Sequence, residues 1–300
     1  MPVRLGISPI GWSNDDLPEL GGATPLETCL AEAHLAGFDG IELGNKFPRD
    51  PAVLRPILER HGLSLISGWY SGRLLERSVA GELAAIADHC ALLVAMGCEL
   101  LVYAETTGGI ASDRSRPLSS RPRLGDSDWR DFGARLTELA EGLSQRGIRL
   151  AYHHHMGTVV EHEAEIDRLM ATTGDSVGLL LDTGHLFFAG AEPDAVARRH
   201  AHRINHVHCK DVRHDVLARV RAADANFLDA VLGGVFTVPG DGGIDFAAVL
   251  AALAAAGYSG WLVVEAEHDP AKAPPLAYAR LGFAHLRAAA GRAGLLTEQR

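Results

Sequence analysis

Residues 177–208 read VGLLLDTGHLFFAGAEPDAVARRHAHRINHVH, and this stretch holds the pattern that decides the fold. A short apolar run at 177–181 predicts a strand, the stretch 193–201 predicts a helix, and 204–208 predicts a second strand. Short apolar runs that alternate with helix-like stretches favour an α/β fold built on a parallel sheet.

The same alternation runs through the whole chain. Further strands are predicted at 4–7, 40–43, 63–68, 100–103, 149–153 and 262–265, and further helices at 25–36, 51–61, 79–96, 128–146, 160–171, 246–256 and 274–290. Several helices end at a glycine just before the next strand, as at Gly37 and Gly147. Eight such units predict one (β/α)8 TIM barrel over residues 1–300. A doubly wound open sheet is the alternative, but no GxGxxG follows the first strand.

Two connections are much longer than simple turns. They cover residues 105–127, after the fourth strand, and residues 209–245, after the seventh, where 216–232 looks helical. In a barrel both lie on the C-terminal face, where active sites are built. They are expected either to cover a substrate or to serve as surface decoration or an oligomer contact.

Composition narrows the class of partner. The 300-residue chain is 47% hydrophobic, and its 28 Lys and Arg against 38 Asp and Glu give a net charge of -10. This balance argues against a nucleic-acid or anionic-membrane surface. No stretch approaches the roughly 20 apolar residues of a spanning helix, the N-terminus lacks a leader pattern, and four scattered cysteines fit a reducing compartment. We therefore expect a cytoplasmic protein, and the sequence leaves open whether it is a homo-oligomer.

Residues of the types that bind metals end four consecutive predicted strands. They are His153, Asp182, His208 and Glu265. Since neighbouring strands lie about 4.8 Å apart, four side chains that point inward at these ends can reach one ion. Mixed imidazole and carboxylate ligands suit Mn²⁺, Co²⁺, Fe²⁺ or Zn²⁺. Each residue alone has a structural explanation, such as a helix cap for Asp182, but burying unpaired carboxylates together costs several kcal/mol.

Other residues at the same end of the predicted barrel are candidates for supporting roles. His155 and His185 are candidate proton carriers or supports for the metal ligands, and Lys210 is a candidate oxygen donor or acid/base. Glu105 is either a further candidate acid/base or a cap of the loop that follows its strand. Candidate substrate contacts are Trp12, Asn14, Glu42 and His206. No glycine-rich phosphate cradle is evident, which favours an unphosphorylated polyol or keto-sugar.

Six segments carry a resemblance to a known family. They are SPIGWSNDDLPELGG (8–22), AYHHHMGTVVE (151–161), LLLDTGH (179–185), HVHCKDVR (206–213), GVFTVPGDGGIDF (234–246) and WLVVEAEHDP (261–270). Over essentially its whole length the chain resembles the inosose dehydratases (2-keto-myo-inositol dehydratases), which belong to the xylose-isomerase-like barrel superfamily.

The resemblance implies a ligand set and a reaction. Asp182, His208 and Glu265 match the superfamily's metal ligands, whereas His153 stands where its isomerases and epimerases have glutamate. The implied reaction is loss of water from 2-keto-myo-inositol to a trihydroxycyclohexane-dione, with Mn²⁺ or Co²⁺ preferred and Zn²⁺ or Fe²⁺ as alternatives. A histidine among His153, His155 and His185, together with Lys210, is expected to move the protons, with Glu105 as a further candidate. The family also implies a glutathione requirement, although no residue here identifies such a site.

Three other functions compete with dehydration. A keto-sugar isomerase or epimerase would use the same metal site, but the glutamate missing at position 153 counts against it. An apurinic-site endonuclease needs a basic groove, which the net charge of -10 disfavours. A sugar-binding barrel without turnover predicts a broken ligand set.

Overall fold

The computed structural model describes residues 2–296, and these form a closed barrel of eight parallel strands surrounded by helices. The chain's strands are β1 (Arg4–Ile7), β2 (Gly40–Leu43), β3 (Ser64–Gly72), β4 (Leu100–Glu105), β5 (Arg149–His153), β6 (Val177–Asp182), β7 (Ile204–Cys209), β8 (Asp211–Val212), β9 (Phe236–Thr237) and β10 (Trp261–Val264). The barrel order is β1-β10-β7-β6-β5-β4-β3-β2, closed by the pairing of β1 with β2, and β8 and β9 form a separate antiparallel pair. The predicted TIM barrel is therefore confirmed.

Over residues 2–296, twelve α-helices lie between or after the strands. They are α1 (Leu26–Ala36), α2 (Pro51–Arg60), α3 (Val79–Ala85), α4 (Ala87–Ala95), α5 (Asp128–Ser144), α6 (Glu163–Thr172), α7 (Thr183–Phe188), α8 (Pro193–His200), α9 (His214–Ala222), α10 (Phe227–Leu232), α11 (Phe246–Ala255) and α12 (Pro275–Arg292). Gly37 ends α1 with φ 106°, a left-handed conformation that favours glycine, and its N–H donates to Ala33 and His34 carbonyls. Within residues 2–296, no helix is both long and apolar enough to span a bilayer.

The barrel interior has an apolar lower part. Ile66, Trp261 and Val263 form one buried cluster, separate from the large core that includes the surrounding helices. Trp261 fits because the facing positions are glycines: a Cβ on Gly40 would lie 2.8 Å from its ring and 2.5 Å from Ile66. This packing closes the N-terminal end, so polar side chains collect at the C-terminal end.

Several elements differ from the sequence-based expectations. The helix predicted at 79–96 is interrupted at Ile86 into α3 and α4, and β3 continues to Gly72 instead of ending at residue 68. α7 was not predicted, although Asp182 caps it. The insertion 209–245 contains two helices and the β8–β9 pair, where one helical segment was expected.

The two long connections contact each other above the barrel. Ser119, in the connection after β4, donates from Oγ to Asp224 Oδ2 in the insertion at 2.5 Å, and Arg114 pairs with Asp229. The first connection is also fastened to the segment after β5 by Arg121, which lies 2.6 Å from Glu165 and 3.2 Å from Glu161.

Replacement of Arg121 tests this fastening. Arg121→Ala removes the cation that faces the buried Glu161 carboxylate, and breaking a buried pair costs about 3–5 kcal/mol. We expect urea denaturation to show a decrease of that size in the free energy of unfolding. The control Arg219→Ala removes an exposed ion pair with Asp215 and should change the free energy of unfolding little. Equal, small effects of both variants would contradict the fastening role.

Candidate metal centre and active site

The four predicted ligands meet at the C-terminal mouth of the barrel. Asp182 and His208 are direct partners in the register of β6 and β7, and Glu265 follows β10. Asp182 Oδ2 lies 3.5 Å from His153 Nε2 and 3.6 Å from His208 Nδ1, and His208 Nδ1 lies 2.7 Å from Glu265 Oε2. The ligand atoms of all four residues lie within 4.8 Å of one another.

The donor atoms are arranged to receive a cation. Asp182 Oδ1 accepts from the His185 backbone N–H at 2.8 Å and so caps α7. Asp182 Oδ2, His208 Nδ1 and Glu265 Oε2 are buried and lie close to one another, but within the described residues none of them makes an aligned hydrogen bond. His153 Nδ1 donates a hydrogen bond to the His154 carbonyl at 2.6 Å, which leaves the lone pair of Nε2 free to bind a metal ion. Buried nitrogen and oxygen atoms that converge in this way without aligned hydrogen bonds are suited to bind a divalent metal ion.

The acidic residues keep their charge despite burial. Burial alone favours neutral Asp182, but Lys210 and the neighbouring imidazoles outweigh it and hold the pKa of Asp182 well below its usual range. Burial disfavours the His208 imidazolium, yet Glu265 and Glu42 outweigh burial and raise its pKa. Metal binding at this centre is therefore expected to displace a proton.

Lys210 lies behind the four-residue set as a fully buried ammonium. Its Nζ is 2.5 Å from Glu267 Oε1, 3.2 Å from Glu265 Oε2 and 3.0 Å from His185 Nε2. Burial would lower the pKa of Lys210, but Asp182, Glu265 and Glu267 outweigh burial and raise it. Lys210 is therefore protonated at neutral pH and can act as an acid but not as a base.

His155 and His185 are two adjacent imidazoles whose ring planes are inclined at 47°, and His185 is buried while His155 is partly exposed. Their ring centroids are 4.1 Å apart, and Phe227 and Phe236 of the insertion pack against them. Burial lowers the pKa of His155, and this effect outweighs the nearby carboxylate of Glu267, which alone would raise it. Burial and the positive charge of Lys210 both lower the pKa of His185. Both rings are therefore neutral near pH 7.

A cavity of about 480 Å³ opens onto this centre. His153, His155, His208, Glu265, Glu267, Glu42 and Trp69 are among its lining residues. The connection after β4 contributes Thr106, Gly109, Ala111 and Ser112. The insertion contributes no residue to this lining, and it packs behind His155 and His185 instead.

Some predicted site residues lie away from the cavity. Trp12 is buried and donates to Glu32 at 2.6 Å, and Asn14 Oδ1 accepts from two backbone N–H groups of its own turn. Glu105 accepts from Leu74 N and Thr107 N, so it caps its loop. None of these three belongs to the cavity lining, and neither do His185, His206 and Lys210. Glu42 does, so its contact with a substrate stays a prediction.

Other cavity residues were missed by the sequence analysis. Glu267 follows Glu265 by two positions, and the alternation of side chains in an extended segment was a signal for it. Trp69 lies beyond the predicted end of the third strand, edge-on to His153 at 5.3 Å. Asp16, Arg49 and His89 also line the cavity, and no local sequence pattern distinguishes them.

A closed (β/α)8 barrel with His, Asp, His and Glu side chains together at its C-terminal mouth is typical of barrel proteins that bind a divalent metal ion. Comparison with known proteins identifies the family within this class. The family model for xylose isomerase-like TIM barrels matches residues 30–289. The rhizopine catabolism protein MocC of Rhizobium meliloti is 53% identical over 98% of this chain and 90% of that protein. An inosose dehydratase of Geobacillus thermodenitrificans (strain NG80-2) is 45% identical over 96% of this chain and 98% of its own.

Solved structures agree with the fold. A crystal structure of the IOLI protein with a bound zinc atom superposes with a TM-score of 0.67 at 16% identity, covering 97% of this chain and 98% of that one. The chain belongs to the xylose isomerase-like TIM barrel family and, within it, to the inosose dehydratases.

Metal addition tests the centre directly. With chelator-treated protein, a divalent ion at 100 times its dissociation constant should stabilise the fold by about 2.7 kcal/mol, measured by thermal or urea unfolding. Asp182→Asn keeps the Oδ1 cap but loses the charge, so this stabilisation should be lost. The control Asp215→Asn, on the exposed face of α9, should retain it. A full shift in Asp182→Asn would contradict the assignment.

Proposed function

We propose that this protein is a metal-dependent hydro-lyase that removes water from inosose (2-keto-myo-inositol), giving a trihydroxycyclohexane-dione. One observation of the site carries the proposal: three members of the four-residue centre, His153, His208 and Glu265, line the same cavity as the neutral His155. Loss of water next to a ketone needs a charge that stabilises the carbonyl oxygen and a base for the adjacent C–H, and this pairing supplies both. The dehydratase relatives, with 45% identity over nearly their full length, indicate the substrate.

The side chains suited to hold the metal are His153, Asp182, His208 and Glu265. When bound there, a divalent ion supplies Lewis acidity toward a ketone and its neighbouring hydroxyl. Mn²⁺ and Co²⁺ are the preferred ions, and the zinc atom of the IOLI protein supports Zn²⁺ as an alternative. A glutathione requirement stays a prediction from the family resemblance.

His155 is the best-placed base. Its Nδ1 contacts the Met156 carbonyl at 2.8 Å and so carries the proton, which leaves the Nε2 lone pair available. His185, in contrast, is shielded by Phe227 and Phe236 and accepts from Lys210. We therefore assign proton abstraction to His155 and a supporting role to His185.

The Lys210–Glu267 pair is the acid. Lys210 does not line the cavity, but Glu267 does, and the two are 2.5 Å apart. The Lys210 ammonium is the source of the proton, and the Glu267 carboxylate can pass that proton on to the departing hydroxyl, which then leaves as water. This arrangement places the acid and the base on different residues, so both proton transfers can be served within one elimination.

A second substrate deserves a test because of one comparison. The rhizopine catabolism protein is 53% identical to this chain, more than the dehydratase described above. A compound of rhizopine catabolism is therefore the alternative substrate for the same centre. Location is a further inference: four free, buried cysteines fit the cytoplasm.

The assay is direct. Purified protein with Mn²⁺ or Co²⁺, with and without glutathione, is incubated with inosose, and the product is identified by mass spectrometry. Dehydration yields a product lighter by one water. A product of unchanged mass would indicate an isomerase or epimerase instead. Bound metal and bound inosose without any product would indicate a sugar-binding barrel.

Replacement of the base gives a sharper prediction. His155→Ala should lower kcat by about 10²–10⁴-fold, the usual contribution of a positioned base, while metal content measured by elemental analysis stays unchanged. His202→Ala, at an exposed position, is the control and should keep wild-type kcat. Near-normal turnover in His155→Ala would remove this residue from the mechanism.

A further inference from the structure

The buried carboxylate of Glu42 lies inside the barrel, next to the candidate metal centre formed by His153, Asp182, His208 and Glu265. Glu42 projects from β2 and meets residues of β7, although β1 and β10 separate these strands in the barrel order. Its Oε1 is 2.9 Å from His206 Nε2, 3.0 Å from His208 Nε2 and 2.5 Å from Ser67 Oγ. Three donors therefore converge on one carboxylate oxygen.

The two nitrogens of His208 face opposite partners. Nε2 meets Glu42, while Nδ1 faces Asp182 and Glu265. Once metal binding has displaced its second proton, the His208 imidazole carries only one, and a carboxylate oxygen can only accept. The contact with Glu42 therefore places the proton on Nε2 and leaves the Nδ1 lone pair directed at the ligand cluster.

We propose that Glu42 is a positioning residue of the metal centre, which holds the orientation and tautomer of His208 without binding the ion itself. The inference rests on the proposed metal centre and not on the identity of the substrate. Histidine ligands commonly donate their second N–H to a carboxylate, and this contact both orients the ring and makes its free nitrogen more basic.

The partners of Glu42 explain why it can be held in place. Ser67 and His206 donate to the same oxygen, so the carboxylate is fixed from β3 and β7 at once. Its side chain is only 9% exposed, and an acceptor with three donors in this setting is rigid. A rigid acceptor fixes the direction of the His208 ring more closely than a water molecule would.

A different arrangement of the same atoms makes a distinct prediction. Glu42, His206 and His208 could themselves hold a second ion, because their ligand atoms also lie within 4.8 Å of one another. His208 would then lose its Nε2 proton and bridge two ions. The positioning role predicts one metal ion per chain, whereas the bridging arrangement predicts two.

The experiment compares metal binding in two carboxylate variants. Glu42→Gln keeps the size of the side chain but removes its negative charge. It also places an amide NH₂ group, which donates hydrogen bonds, where Ser67, His206 and His208 already donate. We expect the dissociation constant for Zn²⁺ or Co²⁺, measured by chelator competition, to rise about 10–100-fold. The visible absorption of the Co²⁺ form should also shift, because the His208 ring is no longer held.

The matched control is Glu82→Gln. Glu82 is a fully buried carboxylate that accepts from Arg73 N and Tyr103 Oη, outside the cavity lining and the candidate metal groups. This variant should bind metal as the wild type does. Circular dichroism and urea unfolding check that both variants fold, and Glu42→Gln should have no further effect on metal binding in a His208→Asn background.

Each outcome decides between the possibilities. Wild-type affinity and an unchanged Co²⁺ spectrum in Glu42→Gln would overturn the positioning role while leaving the metal centre intact. Two ions per wild-type chain would overturn it in favour of the bridging arrangement. Failure of the wild type to bind any divalent ion would overturn the metal centre and the positioning role together.

Discussion

The burial of several carboxylates at one end of a closed barrel is the constraint on which this structure depends. Asp182, Glu265, Glu267 and Glu42 lie together at the mouth of the barrel, each less than a tenth exposed or close to it. An uncompensated charge in such a place costs several kcal/mol. Lys210 offsets part of this cost, and oriented N–H and O–H donors offset the part that falls on Glu42. Asp182 Oδ2 and Glu265 Oε2 still converge with His208 Nδ1 on a position suited to a cation, so the chemistry of the site follows from its electrostatic balance.

Sequence patterns predicted the architecture where one rule dominates. Strands 4–7, 40–43 and 149–153 have the predicted ends. The last two follow the helix-ending glycines Gly37 and Gly147, and a short buried run between such a glycine and polar residues has few other solutions. The rule failed where tertiary contacts decide. Residues 69–72 extend β3 because they pair with β4, and no local periodicity reports that pairing. α7 has only six residues, fewer than two turns, and is capped by Asp182, so it is too short to produce a helical pattern.

The same division holds within the site. His153, Asp182, His208 and Glu265 were predictable because the ends of parallel strands in a barrel share one rim and alternate side chains share one face. Trp12 and Asn14 follow β1 in a loop, and there sequence position does not determine direction. Residue type alone suggested substrate contact, whereas the structure gives each a local partner. Glu42 shows the limit from the other side, since the positioning role proposed for it depends on contacts across the barrel with residues about 165 positions away.

The histidine at position 153 bears on the type of reaction. With two imidazoles and two carboxylates, the four-residue set carries two negative charges, which match a divalent cation. Glu267 is paired with Lys210 at 2.5 Å, so that pair adds no net charge. A glutamate at position 153, as the isomerases and epimerases have it, would leave an excess negative charge beside the reacting ketone. Proton removal next to a ketone builds negative charge on its oxygen, and neutral ligands leave more of the cation's charge to stabilise that oxygen. The exchange of one carboxylate for an imidazole would therefore leave a bound cation more electrophilic, which suits the proton removal next to a ketone that begins the proposed elimination.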